Sequence, residues 1–289
     1  MTRFLYSVLL LVVMLSAGAG ELFAQREKRE KIVEVTVTGI CRAGEYVTPA
    51  EGKQNALRDA MEKALTKANI FEEIHSTTHI ALSNEGNNFQ EYNNFEMGRI
   101  NLEGRVLVKE RKDSIPMQFK NGLYEYSVTI IADVKKEEPD EDLEFDFTIK
   151  GIRDTYCHNQ KMTFTITPTQ KCYFRVFYLA ANPEHKSELL FPDNENYKDF
   201  MLEADTSYTF PPPNKSKFLK DIRSKAQDYS MKVSDISNKT EMGWIILVAL
   251  KKQVPFDGEV TYENINNWLY RIKRNEKRVK EQGVIIVKR

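Results

Sequence analysis

The sequence has few of the residues and patterns on which protein chemistry usually depends. Its 289 residues include only three cysteines and four histidines, and no CxxC pair occurs. A zinc ribbon and a thioredoxin-type redox motif are therefore not supported. The chain also contains no GxSxG, SxxK, HExxH, Walker or GxGxxG motif. We expect no cofactor and no enzymatic activity.

The chain has no net charge either, because 42 Lys and Arg residues balance 42 Asp and Glu residues. A protein that binds nucleic acid by neutralising phosphates carries an excess of positive charge. We therefore expect no nucleic-acid partner.

Long apolar runs are absent except at the N-terminus. Arg3 precedes an apolar run over residues 4–15, small residues follow, and Leu22 and Phe23 lead to Ala24. This pattern is typical of a signal peptide, residues 1–24, cleaved after Ala24. A retained anchor is the alternative, but the run is shorter than the ~20 residues that a membrane span needs. We expect an exported protein, periplasmic or associated with the outer membrane, with no stable membrane span.

Residues 25–134 predict a small α+β domain. Residues 32–40 alternate apolar and polar side chains, as in a half-buried strand. Thr48 is a suitable N-cap for a helix whose first residue is Pro49. Alanines recur in that helix at every fourth position, which allows close packing on a sheet: Ala56, Ala60, Ala64 and Ala68. Three further strands are predicted, at 74–82, 99–112 and 123–136.

Residues 135–144 are acidic and poor in apolar side chains, and we interpret them as a linker. Residues 145–289 then predict a β-rich, sandwich-like domain with two helices. Strands are expected at 145–151, 161–168, 172–180, 187–192, 243–252 and 284–289, and helices at 211–226 and 262–281. The predicted fold class is therefore α+β.

The second half resembles a bacterial family, domain-of-unknown-function family 4384. The resemblance rests on "YFRVFYL", the Leu-Phe-Pro turn in "SELLFPDNEN", "YTFPPP" and the late "GWIILVALKKQVPF" strand. It covers residues 145–289. The chain lacks the glycine that such domains often carry before the Leu-Leu-Phe-Pro strand.

The first half resembles the N-terminal domain of the flagellar accessory protein FlgT and of the related LPP-twenty lipoproteins. The matching features are the Val-Thr-Val-Thr-Gly strand, the helix "QNALRDAMEKAL" and the strand pair "GRVLVKE…YEYSVTIIADV". Neither resemblance implies an activity. Both imply an exported, envelope-associated module that contacts other proteins.

A polar cluster after Pro192 is the first candidate site. Asp193 and Glu195 could bind a calcium ion together with Asp199. The spacing of an EF-hand loop is absent, however, and Asp and Asn after a proline that ends a strand are typical of a turn. We favour the turn and therefore expect no metal.

Histidine and cysteine offer weaker candidates. His75 and His79 have the i, i+4 spacing of a helical metal site, but their segment reads as a strand. Cys157 and Cys172 could form a disulfide if a hairpin brings them together, although unpaired thiols are the favoured interpretation. Cys41 precedes Arg42, which could activate a thiol, but a buried structural cysteine fits the context better.

We therefore expect an exported, non-catalytic envelope protein that binds or scaffolds another envelope component. An envelope hydrolase with an unrecognised pair of carboxylates is the alternative from another class. An accessory subunit of a secretion or motility machine is a third hypothesis.

The leader pattern predicts that the mature protein begins at Gln25. N-terminal sequencing of the protein from the periplasmic fraction checks this. Recovery of the exported protein with Met1 still in place would contradict cleavage.

Overall fold

The computed structural model describes residues 31–44, 47–69, 105–114, 118–120, 123–137, 142–192, 200–212, 228–234 and 239–288. Within them the chain is β-rich with two α-helices, which confirms the predicted α+β class. None of these helices is long and apolar enough to cross a bilayer.

The first sheet has the order β1-β4-β2, and β3 pairs with the start of β4. All of these pairs are antiparallel. The elements are β1 (Lys31–Ala43), α1 (Pro49–Lys67), β2 (Val106–Asp113), β3 (Gln118–Lys120) and β4 (Leu123–Glu137). Helix α1 begins as the sequence predicts, with a capping box in which Thr48 and Glu51 each bond to the other's backbone N–H.

Close approach of α1 to the sheet depends on small residues on both sides. The alanines at every fourth position of the helix are all buried. Opposite them lies Gly39, where an added Cβ would stand 2.0 Å from the carbonyl oxygen of Ala56 and 2.3 Å from the nitrogen of Ala60. No side chain fits between these two backbones, so glycine at this position sets the distance between helix and sheet.

Side chains of α1 also cover the free edge of β1. Helix residues one turn apart bond to every second residue of the strand: Asp59 accepts from the N–H of Ile40 (2.6 Å), Lys63 donates to the carbonyl of Thr38 (3.3 Å) and Lys67 donates to that of Thr36 (2.9 Å). Four helical residues rise ~6 Å and two strand residues ~6.7 Å, so the two repeats nearly match. The helix therefore blocks a strand edge that would otherwise be open to pairing.

The second half is built on a larger sheet of order β10-β9-β14-β15-β6, with β11 also on β9. A three-stranded sheet, β12-β8-β5, and a short pair, β13-β7, complete it. The strands are β5 (Phe147–Lys150), β6 (Thr155–Cys157), β7 (Gln160–Lys161), β8 (Phe164–Pro168), β9 (Cys172–Ala180), β10 (Glu188–Phe191), β11 (Met201–Leu202), β12 (Tyr208–Phe210), β13 (Ser230–Met231), β14 (Thr240–Leu250) and β15 (Lys277–Val287).

The larger sheet is the middle layer of this half, because both of its faces are buried. Phe174 and Ile245 face a cluster shared with Phe147 and Phe164 of the smaller sheet. Their neighbours along β9 and β14 face the opposite way and pack with α2 (Tyr262–Tyr270). The continuous apolar run of β14 is therefore a central strand, as its sequence predicts.

The two halves share one hydrophobic cluster. It contains Ala60 and Ile130 from the first half together with Phe177, Ile246 and Leu269 from the second. Helix α2 also bonds to the edge of β2: Asn267 accepts from the N–H of Val108 (3.3 Å) and Asn266 donates to the carbonyl of Val106.

Two buried lysines hold the C-terminus of α2, one from each half. Lys135 donates to the carbonyl of Tyr270 at 2.6 Å, and Lys277 donates to those of Leu269 and Ile272 at 2.7 and 3.1 Å. Positive charge at a helix C-terminus is favourable because the unpaired carbonyls there are partly negative.

Several boundaries differ from the predictions. The predicted helix over 262–281 ends at Tyr270, because residues 277–287 pair with β14 along its whole length and form β15. Residues 135–137 of the predicted linker complete β4. The division into two domains stays a prediction. The strand predicted at 74–82 and most of the helix predicted at 211–226 lie outside the described residues.

Strand β10 departs from simple alternation. Leu190 and Phe191 both pack into the cluster with the smaller sheet, whereas Leu189 faces the other cluster. In a regular strand Leu189 and Phe191 would share one face, but here they do not, because the register with β9 shifts between these two residues.

Gly39→Ala should destabilise the fold strongly, because the new methyl group would overlap the backbone of α1. We expect a loss of about 1–3 kcal/mol or more in the free energy of unfolding, measured by urea denaturation. Gly44→Ala is the matched control, since nothing lies within 4 Å of its added Cβ. Equal stability of the two variants would show that the helix can move away at little cost.

Candidate functional site at the junction of the halves

A cleft of about 330 Å³ opens between the two halves. Its walls are Gln54 from α1, the end of β9, the turn that leads to β10, and the segment that leads into α2. The lining residues are Gln54, Leu179, Ala180, Pro183, His185, Lys186, Ser187, Glu259, Val260, Thr261 and Tyr262. We refer to it below as the junction cleft.

The turn between β9 and β10 is fixed by hydrogen bonds from its own residues. Asn182 accepts from the backbone N–H of Glu184 at 2.9 Å through its side chain, and from that of His185 at 3.0 Å through its carbonyl. Ser187 Oγ accepts from the N–H of Ala180 at 3.0 Å. These bonds hold His185 and Ser187 at the cleft wall.

The opposite wall is the start of α2. Thr261 is the N-cap, and its Oγ accepts from the N–H of Asn264 at 3.1 Å. The carbonyl of Glu259 accepts from the N–H of Thr261 and from the side chain of Asn264, both at 3.0 Å. Burial raises the pKa of Tyr262 far above its ordinary value, so its hydroxyl stays protonated at neutral pH.

Behind the cleft wall lies a buried carboxylate, Glu241 of β14, whose side chain is only 2% exposed. It accepts from the backbone N–H of Ser234 at 2.6 Å, from Ser234 Oγ at 3.2 Å and from the hydroxyl of Tyr178 at 3.2 Å. Burial, with Glu241 as the second cause, raises the pKa of Tyr178 far above its ordinary value. Tyr178 therefore remains a hydrogen-bond donor.

His185 makes the fourth contact to this carboxylate. Its Nδ1 lies 3.2 Å from Oε2 of Glu241 but is not aligned for a hydrogen bond. Nε2 lies 3.5 Å from Nδ2 of Asn182, whose Oδ1 is already used by Glu184. The amide nitrogen of Asn182 is therefore the donor in its contact with Nε2.

The sequence alone does not predict the contact between His185 and Glu241. In the sequence, His185 has no acidic residue at a spacing that is diagnostic of a site. Its partner is 56 positions away in the chain, and only the pairing of β14 with β9 brings the two together. A sequence signal does exist, since Glu241 is an isolated acid at the start of an apolar strand, but it does not identify the partner.

The other histidine and acidic candidates do not form a site. His158 accepts through Nδ1 from the N–H of Val233 at 3.0 Å, which is a structural contact. Asp193, Glu195 and Asp199, like His75 and His79, lie outside the described residues. Among the residues that the structure does describe, no three His, Cys, Asp or Glu side chains come together as metal ligands.

The disulfide considered between Cys157 and Cys172 does not form, and both thiols are free. Their strands are separated by β14 and β15, which puts them at least ~14 Å apart. Cys157 also lies at the end of the sheet near Thr240, and Cys172 at the end near Leu250. A bridge needs Cα atoms within ~7 Å, and no hairpin joins these two residues.

Cys172 and Cys41 are also poorly suited to act as nucleophiles. Burial raises the pKa of Cys172 to about 12. It also raises the pKa of Cys41, beside Asn55 and Arg58. A thiol with a raised pKa forms little thiolate at neutral pH. The structural interpretation of Cys41 is therefore favoured over an activated one.

Comparisons with known protein families, with curated proteins and with solved structures find no match. The resemblances to the FlgT and LPP-twenty domains and to family 4384 stay predictions.

Glu241→Gln should lower stability, because the amide nitrogen that replaces one carboxylate oxygen cannot accept the hydrogen bonds that Ser234 or Tyr178 donates to that oxygen. We expect a loss of about 1–3 kcal/mol in the free energy of unfolding, measured by urea denaturation. Glu188→Gln is the control, since Glu188 forms a partly exposed ion pair with Lys186 and should matter by less than ~1 kcal/mol. A Glu241→Gln protein as stable as the control would contradict a structural role for this carboxylate.

Proposed function

We propose that this chain is an exported, non-catalytic protein of the cell envelope that binds or scaffolds another envelope component at the junction cleft. The observation that supports this most is that Gln54 of the first half and ten residues of the second half line one cleft. Hydrogen bonds fix the backbone of the walls that the second half supplies. A preformed cleft favours binding because little ordering is needed when a ligand enters. The signal-peptide pattern over residues 1–24 supports export.

The cleft also offers polar groups to a ligand. Among the described residues, neither the amide of Gln54 nor the carboxylate of Glu259 has a side-chain hydrogen bond or ion pair. The hydroxyl protons of Ser187 and Thr261 likewise have no acceptor there, since both oxygens serve as acceptors. These groups match the hydrogen-bonding needs of a polar partner segment.

The hydrogen bonds and the burial of Glu241 support binding over catalysis. Three hydrogen-bond donors and the ring of His185 surround its two oxygens, which leaves little capacity to accept a proton from a substrate. Its side chain is also almost fully buried behind the cleft wall. A general base needs to reach the proton that it removes.

One observation favours the alternative, an envelope hydrolase. His185 lines the cleft and contacts a buried carboxylate, which is the arrangement that orients a catalytic histidine. This alternative predicts that His185→Ala abolishes hydrolysis of an ester or glycoside substrate by the purified protein. The binding proposal predicts no hydrolysis by the wild type in the same assay.

A photo-reactive amino acid at position 186 should crosslink the partner, because Lys186 is exposed at the cleft wall. We expect one adduct of defined mass in envelope fractions, identified by mass spectrometry. The control is the same substitution at Lys150, an exposed lysine of β5 that does not line the cleft. Identical adducts from both positions, or none from position 186, would overturn binding at the cleft.

A further inference from the structure

Arg175 is a buried cation in the middle of β9, away from the junction cleft. It is only 2% exposed. The residues of β9 on the same face of the sheet as Arg175 pack into the cluster that contains Phe177 and α2. Leu179, which lines the cleft, lies four residues further along the strand, or ~13 Å. Arg175 is therefore not part of the site described above.

Its guanidinium is only partly satisfied. Nη1 donates to the carbonyl of Phe174 at 2.9 Å, and Nη2 reaches the carbonyl of Val254 at a long 3.4 Å. Nε makes no hydrogen bond to the described part of the protein, and it is not among the fully buried polar atoms that lack a partner, so solvent reaches it. No carboxylate of the described residues forms an ion pair with the group. A guanidinium has five N–H donors, so most of its capacity is unused.

The other buried cations in the described part of the chain, both lysines, are placed differently. Lys135 and Lys277 each meet carbonyls at the C-terminus of α2, where the helix dipole favours positive charge. Arg175 meets one carbonyl of its own strand and one of the segment after β14. Burial lowers its pKa, but an arginine stays charged at any physiological pH.

A buried charge without a counter-ion is unfavourable, since the interior does not replace the water that the ion has lost. An anion placed against the guanidinium would supply the missing partner. The cover over Arg175 is thin: Val254 is half-buried, and Lys252 and Gln253 beside it are exposed.

We propose that Arg175 is an anion-binding residue that takes a carboxylate or phosphate group of a ligand, between β9 and the segment 251–256. Both anions present two oxygens to the planar fork of a guanidinium, which gives short and directed hydrogen bonds. Chloride is a single spherical ion and cannot make two such directed hydrogen bonds to the guanidinium. The inference does not depend on the proposed partner at the junction cleft.

The test is thermal unfolding of the full chain in acetate, phosphate and chloride at one pH and one ionic strength. We expect acetate, phosphate or both to raise Tm above its value in chloride, with a rise that increases with concentration, because a ligand stabilises the state that binds it. Arg175→Met should remove this difference. Arg42→Met, which changes an exposed arginine paired with Glu125, should retain it.

A second measurement covers the case in which Arg175→Met does not fold. In wild-type protein labelled with ¹⁵N-arginine, one Nε–H signal should shift with the effective anion and remain unchanged in chloride. Arg175→Lys identifies that signal by its loss. A response to phosphate alone indicates a phosphate-bearing ligand, and a response to acetate alone indicates a carboxylate. The proposal is overturned if the three salts give the same Tm, or if no Nε–H signal responds.

Discussion

Unpaired backbone groups at the two edges of the first sheet decide where both helices lie. A three-stranded core sheet exposes one row of N–H and C=O groups on each side, and such rows either find partners or invite other strands. Asp59, Lys63 and Lys67 of α1 provide the partners along β1. Asn266 and Asn267 of α2 provide them along β2. The second of these helices belongs to the other half of the chain.

The position of the junction cleft follows from the way the two helices cover the two edges of the first sheet. Because α2 lies against the edge of β2, its first turn lies near α1, and the segment before it faces the turn after β9. The same placement brings the apolar face of α2 onto the larger sheet and joins the two halves into one cluster. The cleft is the space that remains where these surfaces diverge. Its position is therefore set by the fold of the whole chain and not by either half.

Local patterns in the sequence predicted local structure well. Thr48 and Pro49 locate the start of α1, and the alternation in β4 and the apolar run of β14 each identify a strand. The failures come from long-range contacts. Charged residues at 277–282 read as a helix face, yet pairing with β14 makes them a strand whose side chains reach Asp142, Asp146 and Asp154. The contact between His185 and Glu241 could not be predicted either, because it depends on the pairing of β14 with β9.

The bond from α2 to the edge of β2 has a consequence for the newly made chain. Strand β4, which completes the first sheet, ends at Glu137, and Asn267 follows about 130 residues later. At typical rates of synthesis, ~5–20 residues per second, roughly 7–26 s pass between the synthesis of β4 and that of the α2 residues that bond to the edge of β2. During that interval the emerging chain presents an open strand to its neighbours.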